Sequence, residues 1–282
     1  METTRIDSLF QRAQALFSGA KACYNRGRVK QTGEEHPMQI MDQFGAAPGA
    51  ESVRMPDGTE RTLAAEHAAA ILVNEQPAFR VVCTPELLPQ LALGRLLTEG
   101  WITSADEVER VAVCAQGLKI SVQLCHPLAA AEQAGQEVPS CCTDNLTLAS
   151  PVRLPPLAPV PQREIPAAWV DALADAMGQG LPLYRATHAV HSCLLLRAGK
   201  ILYRCEDLGR HNALDKAVGC ALTEGVPLAE CVLFTSGRMP VDMVRKAIRA
   251  GVPALVSKSM PTVQSLELAE EYGLKLFIRQ KK

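Results

Sequence analysis

No Cys-x-x-Cys pair occurs in this 282-residue chain, although it holds ten cysteines, at 23, 83, 114, 125, 141, 142, 193, 205, 220 and 231. That absence removes the zinc-ribbon and thioredoxin-like readings, which need two thiols at that spacing. No charge of either sign prevails: 29 Lys and Arg stand against 30 Asp and Glu, a net charge of −1. A generally basic nucleic-acid binder displays a large positive excess, so nucleic acid is not expected as a partner, while a local basic pocket stays open. No apolar run reaches the roughly 18 residues of a membrane span. Arg5, Asp7, Gln11, Arg12 and Gln14 interrupt any signal-peptide core. The chain is therefore expected in the cytoplasm, with no membrane partner. Aromatics make up only 4%, but apolar residues make up 48% and charged residues 21%, a globular composition. A chain of this length buries roughly 75% of its unfolded surface and needs neither metal nor disulfide to stay folded.

Four stretches follow from the pattern. Residues 1–50 read as an extension: a short amphipathic helix (Ile6, Leu9, Phe10, Ala13, Phe17), then polar, Gly-containing sequence. Residues 51–125 read as a small α+β domain, with a turn at Met55-Pro56-Asp57-Gly58. A hairpin follows over His67–Asn74 and Ala78–Cys83, then a helix from Pro85 capped by Gly100. A second hairpin is expected over Val108–Cys114 and Leu118–Cys125. Residues 126–166 carry Cys141 and Cys142 and then six prolines, and read as a loop and a semi-extended linker. Residues 167–282 alternate strand and helix, which implies a largely parallel sheet with helices packed on it. The expected elements are helices over 167–179, 212–222, 240–250 and 262–272. Strands are expected over 191–197, 200–205, 231–235, 253–257 and 274–278.

Three segments of this last region share one build. Strand 201–205 runs into Glu206-Asp207-Leu208-Gly209-Arg210-His211; strand 231–235 into Ser236-Gly237-Arg238-Met239; strand 254–256 into Ser257-Lys258-Ser259-Met260. Each is followed by a helix start. Parallel, adjacent strands would place all three loops on one carboxyl edge, where ligands bind in such folds. Helix N-termini offer unpaired amides, and Arg210, His211, Arg238 and Lys258 add charge. Gly209 and Gly237 admit close approach, and Ser236, Ser257 and Ser259 add hydroxyls. The expected ligand is anionic and phosphate-bearing. Against this stands ordinary turn and cap chemistry, which uses the same residue types at any one loop. Three loops of one build favour the ligand.

Cys141-Cys142 lies in a polar, Gly- and Pro-flanked stretch. A loop thiol near cations has a lowered pKa, and its thiolate is a nucleophile able to hold a sulfane sulfur as a persulfide. The alternative is an accidental pair or a vicinal disulfide. His188 and His191 lack a third ligand at metal spacing, so no metal is expected there. A single histidine in a ligand crevice or in the core fits them better. A zinc nucleoside deaminase would show His-x-Glu with Pro-Cys-x-x-Cys, and neither occurs.

Several stretches resemble the formate dehydrogenase accessory sulfurtransferases, the FdhD family. They are Glu206-Asp207-Leu208-Gly209-Arg210-His211-Asn212-Ala213-Leu214-Asp215-Lys216, Thr235-Ser236-Gly237-Arg238-Met239 with Asp242-Met243-Val244, and Val256-Ser257-Lys258-Ser259 with Pro261-Thr262. Val73-Asn74, Thr84-Pro85 and Leu91 to Gly100 are similar to its N-terminal part. The resemblance implies an α/β fold: a three-layer, cytidine-deaminase-like C-terminal domain behind a smaller α+β domain. It implies a sulfur carrier that takes persulfide sulfur from a cysteine desulfurase and passes it to the molybdenum cofactor. That cofactor is in its bis-molybdopterin guanine dinucleotide form, before it enters formate dehydrogenase. A guanine nucleotide is an implied ligand and a homodimer the implied assembly. The family's Ser-Cys-Gly-x-Cys-Gly reads Ser140-Cys141-Cys142-Thr143-Asp144-Asn145 here. Cys141 is thus the implied transferring thiol, with Cys142 as substitute or resolving partner. Implied cofactor contacts are His188, Arg210, His211, Ser236, Gly237, Arg238 and Lys258, with the final Phe277-Ile278-Arg279-Gln280-Lys281-Lys282. The departure at the cysteine loop leaves a second expectation, a cofactor-binding chaperone for formate dehydrogenase that moves no sulfur.

Overall fold

The computed structural model of the protein describes residues 38–128, 146–147 and 154–279. The first half contributes β1 (Gln39–Asp42), a hairpin of β2 (Ala50–Arg54) and β3 (Glu60–Ala64), and a hairpin of β4 (His67–Val73) and β5 (Gln76–Cys83). Helix α1 (Leu88–Glu99), the hairpin β6 (Val108–Val113) and β7 (Lys119–Leu124), and the short β8 (Leu146–Thr147) complete it. Six of these strands form a mixed sheet in the order β1-β6-β7-β4-β5-β8. The β4–β5 connection turns at Asn74 and Glu75, with φ of 47° and 66°, the left-handed pair that a tight hairpin requires. Helix α1 starts three residues after Pro85, because Leu87 takes φ 55° at the N-cap. It ends as expected at Gly100, whose φ of 81° turns its N–H back to Leu96 and Leu97.

The expected extension over 1–50 is corrected at its end. Gln39–Asp42 pairs in parallel with β6, from Gln39 opposite Arg110 to Asp42 opposite Val113. β1 is an edge strand with mostly exposed side chains, so no alternation in the sequence announces it. The amphipathic helix expected near residues 6–17 lies outside the described residues.

The second half contributes α2 (Ala167–Gly178), α3 (Pro182–Thr187), β9 (His191–Arg197), β10 (Lys200–Asp207) and α4 (Arg210–Thr223). Then come β11 (Cys231–Thr235), α5 (Val241–Arg249), β12 (Ala254–Ser257), α6 (Val263–Tyr272) and β13 (Lys275–Ile278). The sheet order is β10-β9-β11-β12-β13. β10 and β11 are therefore not adjacent, contrary to expectation; β9 lies between them and runs antiparallel to both. Two reversals restore direction, so β10, β11 and β12 still end on one edge. Side chains sort by the period of two. Cys193, Leu195, Cys231, Leu233 and Leu255 face one core, while Leu194, Leu196, Val232, Phe234, Ala254 and Val256 face the other. Helix α2 covers the second face through Val170, Leu173 and Met177.

The first core is continuous from β4 to Leu274 and joins both sheets. Helix α1 packs on β6 and β7 and against α4 and α5, while α4 packs on β9 and β10. The α1–α4 crossing runs through two glycines: a Cβ at Gly94 would strike the Asp215 carbonyl, and one at Gly219 the Gln90 carbonyl. The Pro-rich stretch from residue 154 has no regular structure, as expected, but it is fastened rather than free. Val160 is buried and its N–H donates to Tyr272 O at 2.9 Å; Arg249 donates to Pro155 O at 2.7 Å. Among the described residues no helix is long and apolar enough to cross a membrane.

Candidate functional site

The edge where β10, β11 and β12 end is assembled by backbone and hydroxyl contacts between its loops. Ser236 N–H donates to Ser192 O at 2.9 Å, and Ser236 Oγ accepts from Ser192 N at 2.9 Å. The same Oγ lies 3.3 Å from His191 Nδ1. Gly237 is pressed against Arg210, whose Cβ would sit 2.8 Å from any Cβ added there, so this loop has no room for a side chain. Ser257 Oγ donates to Gly237 O at 2.8 Å and accepts from Ser259 N at 3.0 Å. Ser257 is fully buried and tied into the loop-to-loop frame, so it holds the edge together rather than facing a ligand.

Charge collects around Ser236. Arg238 and Lys258 are exposed, Arg210 is half-buried, and His211 is buried with Nε2 3.0 Å from Asp242 Oδ2 on α5. Helix α4 begins at Arg210, two residues earlier than the sequence suggested, behind Gly209, whose N–H donates to Asp207 Oδ1 at 3.0 Å. Arg210 and His211 therefore belong to the first helical turn, where the helix dipole adds positive potential. Half-buried His191 feels this field. Burial first, then the charges of Arg210, His211 and Lys258, hold its pKa below the ordinary histidine value, against a smaller opposing pull from Asp207. The edge is a place where an anion is welcome and a further proton is not.

Beneath the edge lies a buried ionic network. Lys216 Nζ sits 2.7 Å from Asp207 Oδ2 and donates to Thr84 Oγ1 at 2.6 Å; all three side chains are sealed from water. Asn212 Nδ2 donates to Asp207 Oδ1 at 2.9 Å and to Val82 O at 2.8 Å. Arg95 reaches Asn212 Oδ1 at 3.2 Å and Asp215 Oδ2 at 3.2 Å. Lys246 bridges Asp215 at 3.0 Å and Glu99 at 2.8 Å. Burial alone depresses Lys216, but Asp207 and its neighbours more than reverse this, so it stays charged. Three cations balance three carboxylates, the condition under which buried charges are tolerated. Breaking one such pair typically costs about 3–5 kcal/mol, since the remaining partner is left uncompensated.

Residues 64–282 match the FdhD/NarQ family. The chain belongs to the FdhD/NarQ family. It is similar to the sulfur carrier protein FdhD of Nocardia farcinica, 34% identical over 228 residues, covering 76% of this chain and 81% of that one. The sulfur carrier protein FdhD of Bacillus subtilis is 31% identical over 219 residues, covering 76% and 83%. Among solved structures, a protein described as a formate dehydrogenase accessory protein from Desulfotalea psychrophila superposes with a TM-score of 0.63. It is 28% identical, and the match covers 82% of this chain and 91% of that one.

The FdhD/NarQ motifs therefore divide by place. Arg210, His211, Ser236, Gly237, Arg238 and Lys258 come together at the edge. His188 joins them from α3, whose C-cap it forms in the left-handed region at φ 54°. Its ring meets that of Tyr184 edge-on at 5.2 Å. Phe277 packs into the α2-side core, Ile278 is exposed, and Arg279 pairs with Asp171 of α2 at 2.8 Å. Arg279 N–H still donates to Ser257 O at 2.8 Å, which ties the strand end to the edge. Cys141, Cys142, Gln280, Lys281 and Lys282 lie outside the described residues. Sequence reasoning left His191 between a crevice and a core histidine, and the structure sets it at the edge; Asp242, Thr84 and Arg95 were given no role in this region. The signal for all three was available: Thr84 and Arg95 lie within the quoted N-terminal family stretches and Asp242 within the second motif.

Proposed function

We propose that this FdhD/NarQ protein is a cytoplasmic sulfur carrier serving formate dehydrogenase. A thiolate at Cys141, or at Cys142, attacks the terminal sulfur of a cysteine desulfurase persulfide. A new S–S bond forms, the donor's S–S bond breaks, and the donor cysteine leaves as a thiolate, with no net oxidation. The outer sulfur then passes to the molybdenum cofactor, which is cargo here: the carrier's S–S bond breaks, its cysteine returns as a thiolate, and a dithiol reductant supplies the two electrons that bring the sulfur to the sulfide level. The cofactor's guanine dinucleotide phosphates are held at the edge by Arg210, Arg238 and Lys258, with Ser236 and His191 beside them. The observation that carries this reading is the convergence of three strand ends and three helix starts on that cationic edge. The names of the relatives, sulfur carrier protein and formate dehydrogenase accessory protein, agree with it. The five-stranded sheet, with α2 on one face and α4 on the other, supports a cytidine-deaminase-like layering for this half, and a homodimer is the proposed assembly.

A second reading has its own motivation. Asp144 stands where the family's loop has its second cysteine, which favours a cofactor-holding chaperone that moves no sulfur. Intact-protein mass spectrometry after incubation with a cysteine desulfurase and cysteine separates the two. A gain of one sulfur mass that disappears in Cys141→Ala, or only in Cys142→Ala, supports the carrier and names its residue. No added sulfur on the wild-type chain leaves the chaperone.

A further inference from the structure

The outer face of the six-stranded sheet, away from α1, carries two cations in one row. Lys119 on β7 and Arg80 on β5 both stand opposite Ala70 of β4, one on either side. Strands lie about 4.8 Å apart, so the two residues are about 10 Å from each other across an alanine. Alternation puts them on this face, because Phe79, Val81, Ile120 and Val122 belong to the core on the other side. Ala68, Ala70 and Leu72 share the outer face and are nearly sealed from water, although neither apolar core contains them. Arg80 Nε is sealed as well and has no hydrogen-bond partner. An arginine keeps its proton, so only an acceptor relieves a buried N–H of this kind. Among the described residues no ion pair reaches Arg80 or Lys119.

One stretch of the chain has the matching charge and begins and ends in the right place. The described residues stop at Leu128, packed against the first core, and resume at Leu146, which stands opposite Arg80 in the ladder of β5 and β8. Between them, residues 129–145 carry Glu132, Glu137 and Asp144 and no lysine, arginine or histidine. Asp144 is two residues ahead of Leu146, at most about 7 Å of chain from the Arg80 row. We propose that this face is the docking seat of residues 129–145 of the same chain, with the Asp144 carboxylate on Arg80. Charge complementarity and the short tether to Leu146 choose this occupant over a second copy or a free anion. The seat goes beyond the sulfur-carrier reading and needs no sulfur to move. Its consequence is positional. Cys142 is two residues ahead of Asp144. β5 runs on from Arg80 to Val82, whose carbonyl accepts from Asn212 at 2.8 Å, and to Thr84 beneath the cationic edge. The acid that stands where the family's loop has its second cysteine thus ties the cysteine pair to the strand that leads to the ionic cluster.

The test is cleavage of the full chain by a glutamate-specific protease, with mass spectrometry of the cuts after Glu132 and Glu137. Asp144→Asn and Arg80→Gln are each expected to speed those cuts about tenfold, the lower end of what a hydrogen bond to a charged group contributes. The double variant is expected to be no faster than either single one. Exchange of the charges, Arg80→Asp with Asp144→Arg, is expected to restore most of the protection. Asp144→Asn alters no residue of the sheet, so it decides the matter if Arg80→Gln fails to fold. Equal rates in the wild type and Asp144→Asn overturn the seat, and so do single effects that multiply in the double variant. Protection that fades as the wild-type chain is diluted gives the face to a second copy; protection that appears only with added phosphate gives it to a free anion. Either result overturns the proposal. The cuts are read without any sulfur donor, so their failure leaves the carrier reading standing, and a chain that takes up no sulfur leaves the seat standing.

Discussion

His191 shows how much a single residue's surroundings decide. It is not in the family stretches that drew attention, yet its ring touches the Ser236 hydroxyl and lies within the field of Arg210, His211 and Lys258. Those charges and its own burial make protonation unfavourable, so the ring is neutral at pH 7. A bound diphosphate reverses the sign of that field and raises the pKa. By linkage, a group whose pKa rises on binding makes binding tighter as pH falls. Pyrophosphate affinity is therefore expected to increase from pH 7.5 to about 6, approaching the ordinary histidine range near 6.5. His191→Gln keeps a polar partner for Ser236 but cannot titrate, and is expected to flatten that part of the profile. Calorimetric titrations at several pH values check it, and an unchanged slope in the variant would assign the titration to another group.

At the scale of elements, the close approach of α1 and α4 decides what sits where. Gly94 and Gly219 face each other's backbones, and this brings Arg95 and Thr98 of α1 onto Asp215 and Lys246. In an exposed mid-helix position, replacing Gly with Ala gains up to about 1 kcal/mol. Here the added methyl meets a carbonyl across the crossing, so Gly94→Ala is expected to reverse that sign and lose about 1–3 kcal/mol or more. Urea unfolding of Gly94→Ala against the wild type measures it. This crossing also marks a limit of legibility. The central strands of the second sheet were readable because burial on both faces makes them continuous apolar runs, as in Cys231–Thr235. So was α6, behind its Thr262 cap. Nothing in the sequence said that two glycines 125 positions apart touch. Nothing announced α3, whose six residues make fewer than two turns and show no period. The loops at the edge were readable from Ser, Gly and cation patterns. The division of one motif between the edge (Arg210) and the interior (Asn212, Asp215, Lys216) depends on where α4 begins, and cap geometry rather than periodicity sets that.

For the whole molecule, the consequence is that the edge rests on a neutral ionic cluster whose members come from both halves of the chain. Glu99 of α1 and Lys246 of α5 form its outer pair at 2.8 Å. Burial opposes the Glu99 charge, but Lys246 and Arg95 overcome it and hold its carboxyl down at about 2, against 4.5 in an unconstrained chain. A carboxylate with a depressed folded-state pKa contributes stability that is fully present above pH 4.5 and is lost as pH falls towards 2. At about 1.4 kcal/mol per unit the ceiling is about 3 kcal/mol. The side chain is 31% exposed, so solvent screening brings the contribution below that ceiling. Glu99→Gln removes the titrating group while keeping the shape. Its unfolding free energy is expected to lie below the wild type's at pH 7 and to converge with it as pH falls from 4.5 towards 2. The difference between the two pH profiles isolates this one carboxylate from every other acid in the chain. Parallel profiles would mean that Glu99 keeps its ordinary pKa and that α1 is held on α5 by its apolar face alone.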